Sequence, residues 1–118
     1  MKTRRDEIKC YQTKDGSLIR ELMHPLSHGA KNQSLAEAVV PAGVTTHLHR
    51  HLKSEELYHI TQGTGEMQWG ETKFRVAPGD TVLIPPGTPH AITNTGNEDL
   101  VLLCCCAPAY SHEDTDLI

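Results

Sequence analysis

Long apolar runs are missing from this chain of 118 residues, and so is any sustained run of one charge. No window approaches the roughly 18 apolar residues of a membrane-spanning helix, so no membrane partner is expected. The N-terminal MKTRRDEIK is positive but has no apolar core behind it, which argues against a secretory leader and for a cytoplasmic protein. No run of Lys and Arg exceeds Arg4-Arg5 and the formal net charge is −4, so few phosphate counterions would be released and nucleic acid is not an expected partner. Aromatics are scarce, at one Trp, one Phe and three Tyr. Cysteines number four, but Cys104, Cys105 and Cys106 are consecutive and no C-x-x-C spacing occurs, which excludes a disulfide framework and leaves thiolate-bound zinc without its usual spacing.

What remains is a chain long enough for one domain, which at this size buries roughly two-thirds of its unfolded surface. Short apolar or alternating runs recur at close intervals: 18–23, 34–40, 44–51, 56–61, 66–69, 72–76, 81–84, 90–95 and 100–106. Each has strand length. Between them stand Pro41-Ala42-Gly43, Gly63-Thr64-Gly65, Pro78-Gly79-Asp80 and Pro85-Pro86-Gly87, whose fixed or left-handed φ suits chain reversal. Gly70-Glu71 reads as a two-residue hairpin loop. No helical stripe outlasts its breakers. The expectation is an all-β sandwich or small barrel of about nine strands in one domain, with an extended arm at 1–16, a barrel at 17–107 and a C-terminal extension at 108–118. The cysteines at the end of the last long strand read as small buried residues.

Histidine is abundant, with eight in the chain, and three of them crowd into HLHRH. In an extended strand His47, His49 and His51 share one face, and two such side chains about 7 Å apart can converge on one ion. All three do so less comfortably. Downstream, Glu56, Tyr58 and Ile60 share a face that excludes Glu55, Leu57 and His59. His90 follows the rigid Pro85–Pro89 loop and shares its face with Ile92 and Asn94.

These residues resemble two motifs of the cupins, specifically the small single-domain barrels. The first, G-x5-H-x-H-x3 or x4-E-x6-G, is met by Gly43, His49, His51, Glu56 and Gly63. The second, G-x5-P-x-G-x2-H-x3-N, is met by Gly79, Pro85, Gly87, His90 and Asn94. Glu55 satisfies the x3 option after His51 but leaves Gly63 one residue too far. The resemblance implies a double-stranded β-helix, or jelly roll, and a metal held by His49, His51, Glu56 and His90.

Three imidazoles and a carboxylate with further positions available suit one divalent transition ion per chain, Mn, Fe or Ni before Zn or Cu. Such a site polarises an anionic or oxygenated small molecule. The resemblance leaves open a dioxygenase, a sugar isomerase or epimerase, a lyase, and a non-catalytic binding or sensing protein. His47 and Tyr58 are the candidate acid–base groups beyond the ligands. By the same resemblance a homodimer is expected, with the arm and the 18–23 strand at its interface, since open sheet edges favour pairing.

Overall fold

The computed structural model describes residues 1–118 and is built almost wholly of strands. In chain order these are β1 (Tyr11–Gln12), β2 (Leu18–Met23), β3 (Ser34–Val40), β4 (His49–His51), β5 (Glu55–Gln62), β6 (Gly65–Trp69), β7 (Thr72–Val76), β8 (Thr81–Ile84), β9 (His90–Asn94), β10 (Leu100–Ala107) and β11 (Thr115–Leu117), with one short α-helical turn α1 (Pro25–His28) and a 3-10 turn at Arg5–Glu7. They form a six-stranded sheet, β1-β2-β3-β10-β5-β8, facing a five-stranded sheet, β11-β4-β9-β6-β7. Every pairing is antiparallel. The fold is a jelly-roll barrel.

Alternation in the central strands creates the interior. Along β10, Leu100, Leu102, Cys104 and Cys106 are buried, as are Ser34, Ala36, Ala38 and Val40 of β3. Register then stacks them in rows: Leu102 lies between Ala38 and Ile60, Cys104 between Ala36 and Tyr58, and Cys106 between Ser34 and Glu56. The interior therefore grades from an aliphatic plug to a polar chamber. Ile60, Met67, Ile84, Leu100 and Leu102 are all but inaccessible to solvent, and burying each stabilises the fold by about 1.5–3 kcal/mol. That plug closes one end of the barrel and leaves the other for chemistry.

Two motif positions have structural explanations. Gly63 takes φ +80°, and a Cβ there would stand 2.7 Å from the Asp99 carbonyl, so only glycine allows the chain to turn against β10. Asn94 donates from Nδ2 to the Val40 and Glu98 carbonyls at 2.8 and 2.7 Å and accepts from the Gly96 N–H at 2.9 Å. It ties the turn after β9 to β3 rather than facing the chamber.

Two strands are additional to the expected nine. β1 pairs with Leu18 and Ile19 of β2, and β11 pairs with β4. The stretch 44–51 is not one strand: Thr45 makes an isolated bridge to Thr93, and regular pairing resumes only at His49. Thr46 is buried, its hydroxyl accepting from Ile92 N–H at 3.0 Å. Because Thr46 and His49 both face inward three positions apart, the alternation assumed from His47 onward breaks between them. The edge of β2, expected to serve a second copy, is occupied in part by the chain's own arm through β1 and a Thr3 hydroxyl bonded to the Leu22 carbonyl.

Candidate metal centre and adjoining cavity

Antiparallel pairing of β4 with β9 sets His49 directly opposite His90. His51 follows two residues on along the same face, and Glu56 reaches in from β5 of the other sheet. All four side chains are buried, at 3, 4, 5 and 0 % exposure for His49, His51, Glu56 and His90. One donor atom from each lies within 4.8 Å of every other. Glu56 Oε1 sits 3.1 Å from His51 Nε2 and 3.4 Å from His90 Nε2. Glu55 is exposed on the opposite face, and His59 is engaged with the Thr81 hydroxyl.

Orientation of the three rings is enforced from behind. His49 Nδ1 lies 2.9 Å from the His47 carbonyl, and His90 Nδ1 lies 2.9 Å from the Thr88 carbonyl. A carbonyl only accepts, so both Nδ1 atoms carry the proton. His51 Nδ1 meets the Thr115 hydroxyl at 3.1 Å, and that hydroxyl donates onward to the Ser111 carbonyl at 2.8 Å. His51 Nδ1 is therefore a donor too. Each imidazole then presents a bare Nε2 lone pair inward, the tautomer that a metal requires. His90 Nε2 is buried with no hydrogen-bond partner, an arrangement that costs free energy unless an acceptor of its lone pair is present. The donor set, its burial and this unpartnered nitrogen all fit a divalent ion.

The electrostatics agree. Burial alone would raise the Glu56 carboxyl, but the nearby His51 and His90 rings outweigh it and hold the group down to about 2. Burial, with His90 nearby, lowers His49 and keeps it neutral. Burial would also lower His51, yet the Glu56 bond and charge dominate and raise it.

A family model described as the cupin domain matches residues 36–106, which include every one of these ligands. The chain is a cupin. An uncharacterised protein of Methanocaldococcus jannaschii is 55% identical over 118 residues, covering 100% of this chain and 94% of that one. Among solved structures, a predicted oxalate decarboxylase of Thermotoga maritima superposes with TM-score 0.80 at 25% identity, covering 92% of this cupin and 99% of its own chain. Pac13, a nucleoside dehydratase of Streptomyces, superposes with TM-score 0.82 at 15% identity, covering 100% and 90%. The Pac13 likeness shows the fold alone.

Next to the ligand set this cupin holds a cavity that opens to solvent. Tyr58 lines it from the face shared with Glu56, buried to 5%, its ring 5.8 Å from that of His90. Burial first, and Glu56 second, push its phenol well above the ordinary value. Cys106 donates its thiol hydrogen to Glu56 Oε2 at 3.1 Å. Burial, again followed by Glu56, raises that thiol far above its usual range, so it remains a donor. Glu56 is thereby anchored through Oε2 while Oε1 faces the histidines.

His47 is placed differently from the expectation. It is exposed and does not line the cavity. The break in alternation after Thr46 turns its ring outward, and its contribution comes from the backbone, whose carbonyl accepts from His49. In its stead the arm supplies Asp15, which lines the cavity with Oδ2 3.8 Å from His49 Nε2. Asp15 Oδ1 accepts from the Thr13 hydroxyl at 2.7 Å and from Ser17 N–H and hydroxyl at 2.9 and 2.6 Å, so the loop fixes the carboxylate. The Asp15-Gly16 dipeptide ahead of the apolar run at 18–23 was the available sequence signal for this turn. The C-terminal tail was equally hidden: Asp114 accepts from Lys53 and Ser54 N–H at 2.9 and 3.0 Å, organising the loop between His51 and Glu56.

Proposed function

We propose that this cupin is a metal-dependent enzyme of the isomerase or lyase type, acting on a small oxygenated molecule, with His49, His51, His90 and Glu56 holding one divalent transition ion. Mn, Fe or Ni suit the mixed nitrogen and oxygen set best, with Zn and Cu also compatible. The ion supplies Lewis acidity toward an oxygen of the bound molecule.

The observation that carries this reading is that protonatable groups outside the ligand set line the same cavity, the Tyr58 phenol and the Asp15 carboxylate. A binding or sensing protein has no need of them. Tyr58, held protonated by its burial, serves as a hydrogen-bond donor to an oxygen of the bound molecule. Asp15, anchored through Oδ1, offers Oδ2 as an acceptor. Isomerisation and elimination both move a proton at a carbon beside an oxygen and use such a pair, whereas dioxygen chemistry does not depend on it. Decarboxylation, the activity predicted for the Thermotoga maritima neighbour, is lyase chemistry and supports the same class.

The test is to load the protein separately with Mn, Fe, Ni and Zn and incubate each form in D2O with sugars, hydroxy acids, diketones, catechols and phenols. NMR and an oxygen electrode are read in parallel. Solvent deuterium entering a product without oxygen uptake is expected. Oxygen uptake with diketones or catechols would move the assignment to a dioxygenase, and binding without turnover to the non-catalytic class.

We also place the protein in the cytoplasm, where its four free thiols suit a reducing environment, and as a homodimer. Leu35, Cys105, Leu57 and Leu83 align by register across the outer face of the six-stranded sheet, with Leu57 and Leu83 41% and 52% exposed. Such a stripe supports pairing of two copies better than the arm-covered edge of β2. Elution at monomer mass on size exclusion would refute it.

A further inference from the structure

The anionic substrate expected from the sequence rested on a site with a single carboxylate. The cavity contains three: Glu56 among the ligands, and Asp15 and Glu21 from the arm and β2. No Lys or Arg lines it. Lys14, the nearest cation in sequence, is turned away, its Nζ donating to the His112 and Thr115 carbonyls at 2.8 and 3.0 Å. Against a divalent ion the chamber is left net negative, which disfavours a phosphate or a dicarboxylate.

The two extra carboxylates are anchored on one side and open on the other. Asp15 is saturated at Oδ1 by Thr13 and Ser17 and free at Oδ2. Glu21 accepts the Tyr11 hydroxyl at Oε1, 2.8 Å away, while its Oε2 is sealed from solvent and has no hydrogen-bond partner. A buried acceptor without a donor is uncommon in folded proteins and calls for one. Tyr110 lines the same space, its ring edge-on to that of His51 with centroids 5.9 Å apart. The three carboxylates thus surround one volume, with an aromatic ring beside them. Carboxylates with an aromatic face are the chemistry that holds an organic cation.

Building on the metal-site reading above, we propose that this cavity takes a small molecule bearing an ammonium group at the end remote from its metal-binding oxygen, and that Asp15 and Glu21 form the cation subsite. The ammonium donates to Glu21 Oε2 within the field of the Asp15 carboxylate, whose Oδ2 stays on the metal side 3.8 Å from His49 Nε2, and the other end lies toward His49, His51, His90 and Glu56.

Three probes share a carboxylate for the metal end and differ only at the far end: 4-aminobutyrate, 4-hydroxybutyrate and glutarate. Their affinities are measured by calorimetry on the full-length protein, first confirmed by metal analysis to hold zinc. The amine is expected to bind at least about tenfold tighter than glutarate, with the alcohol between them. Asp15→Asn and Glu21→Gln keep the anchoring oxygens yet remove the charge. Each is expected to reduce the preference for the amine by about tenfold while metal content stays at the wild-type level. Glutarate binding as tightly as the amine, no binding of either, or a preference that survives both substitutions would overturn the assignment. A protein that takes up no metal would instead overturn the metal-site reading, a result read before any probe is added.

Discussion

Replacing Thr115 by Val removes one hydroxyl and is expected to weaken metal binding, although the residue touches no ion. In the native chain that hydroxyl is the sole acceptor for His51 Nδ1–H and passes its own hydrogen to Ser111. Without it, a buried N–H is left unpaired, at a cost of about 1–3 kcal/mol. The ring can escape that cost by moving its proton to Nε2, where Glu56 Oε1 waits 3.1 Å away. That tautomer blocks the lone pair, so the ion must pay to reverse it. A 10- to 100-fold rise in dissociation constant, about 1.4–2.8 kcal/mol, is the expected outcome. Competition with a chelator of known zinc affinity measures it, and nitrogen NMR of the metal-free protein reports whether His51 carries its proton on Nε2. Thr115→Ser, which restores the hydroxyl, should return to near the wild-type value. Thr115→Val binding zinc as tightly as wild type, with His51 still protonated on Nδ1, would refute the reasoning.

Other outcomes follow from the same geometry. His90→Ala should purify without its ion, since His90 contributes the fully buried, unpartnered Nε2; metal content at the wild-type level by mass spectrometry would contradict this. Cys106→Ala leaves Glu56 Oε2 without its donor and should destabilise the metal-free protein by about 1–3 kcal/mol, with Cys106→Ser less affected in the same thermal melt. For the metal-free protein, pH dependence has a defined shape. Glu56 is held at about 2 against an ordinary 4.5, so its contribution is present above 4.5 and lost as pH falls toward 2. His51 is raised above its ordinary 6.5, so its contribution is present below 6.5 and lost as pH climbs through the higher folded value. His49 acts in the opposite sense: lowered below 6.5, its contribution is present above 6.5 and lost as pH falls, so maximum stability should fall near about 6.5, and bound metal, which needs neutral imidazoles, should extend it upward. Melting curves across pH with and without zinc test both limits.

The clustering of His49, His51, Glu56 and His90 was legible because the motif spacing of the resemblance picks out these four residues, and turn glycines such as Gly63 have a steric reason to stand where they do. The long strands were equally visible from their alternation. His47 was misplaced because alternation presumes continuous strand, and only the tertiary bond of buried Thr46 to Ile92 reveals the break. β1 and β11 are two and three residues long, too short for periodicity to register. Asp15 lies in the turn after β1 and Thr115 in β11, and their roles arise from long-range docking of arm and tail. A polar terminus gives no local sign of what it will pack against.

The arm has a consequence for how such proteins diversify. The metal-holding residues fall between positions 49 and 90, inside the stretch matched to the family, whereas Asp15 and Glu21 precede residue 36. On the roles proposed above, chemistry and recognition would be encoded in separate stretches of the chain. Substitutions confined to the hairpin of β1 and β2 could exchange one small molecule for another while the ion and its second layer of hydrogen bonds from the histidines stay intact, which makes the arm the place to begin any redesign of specificity.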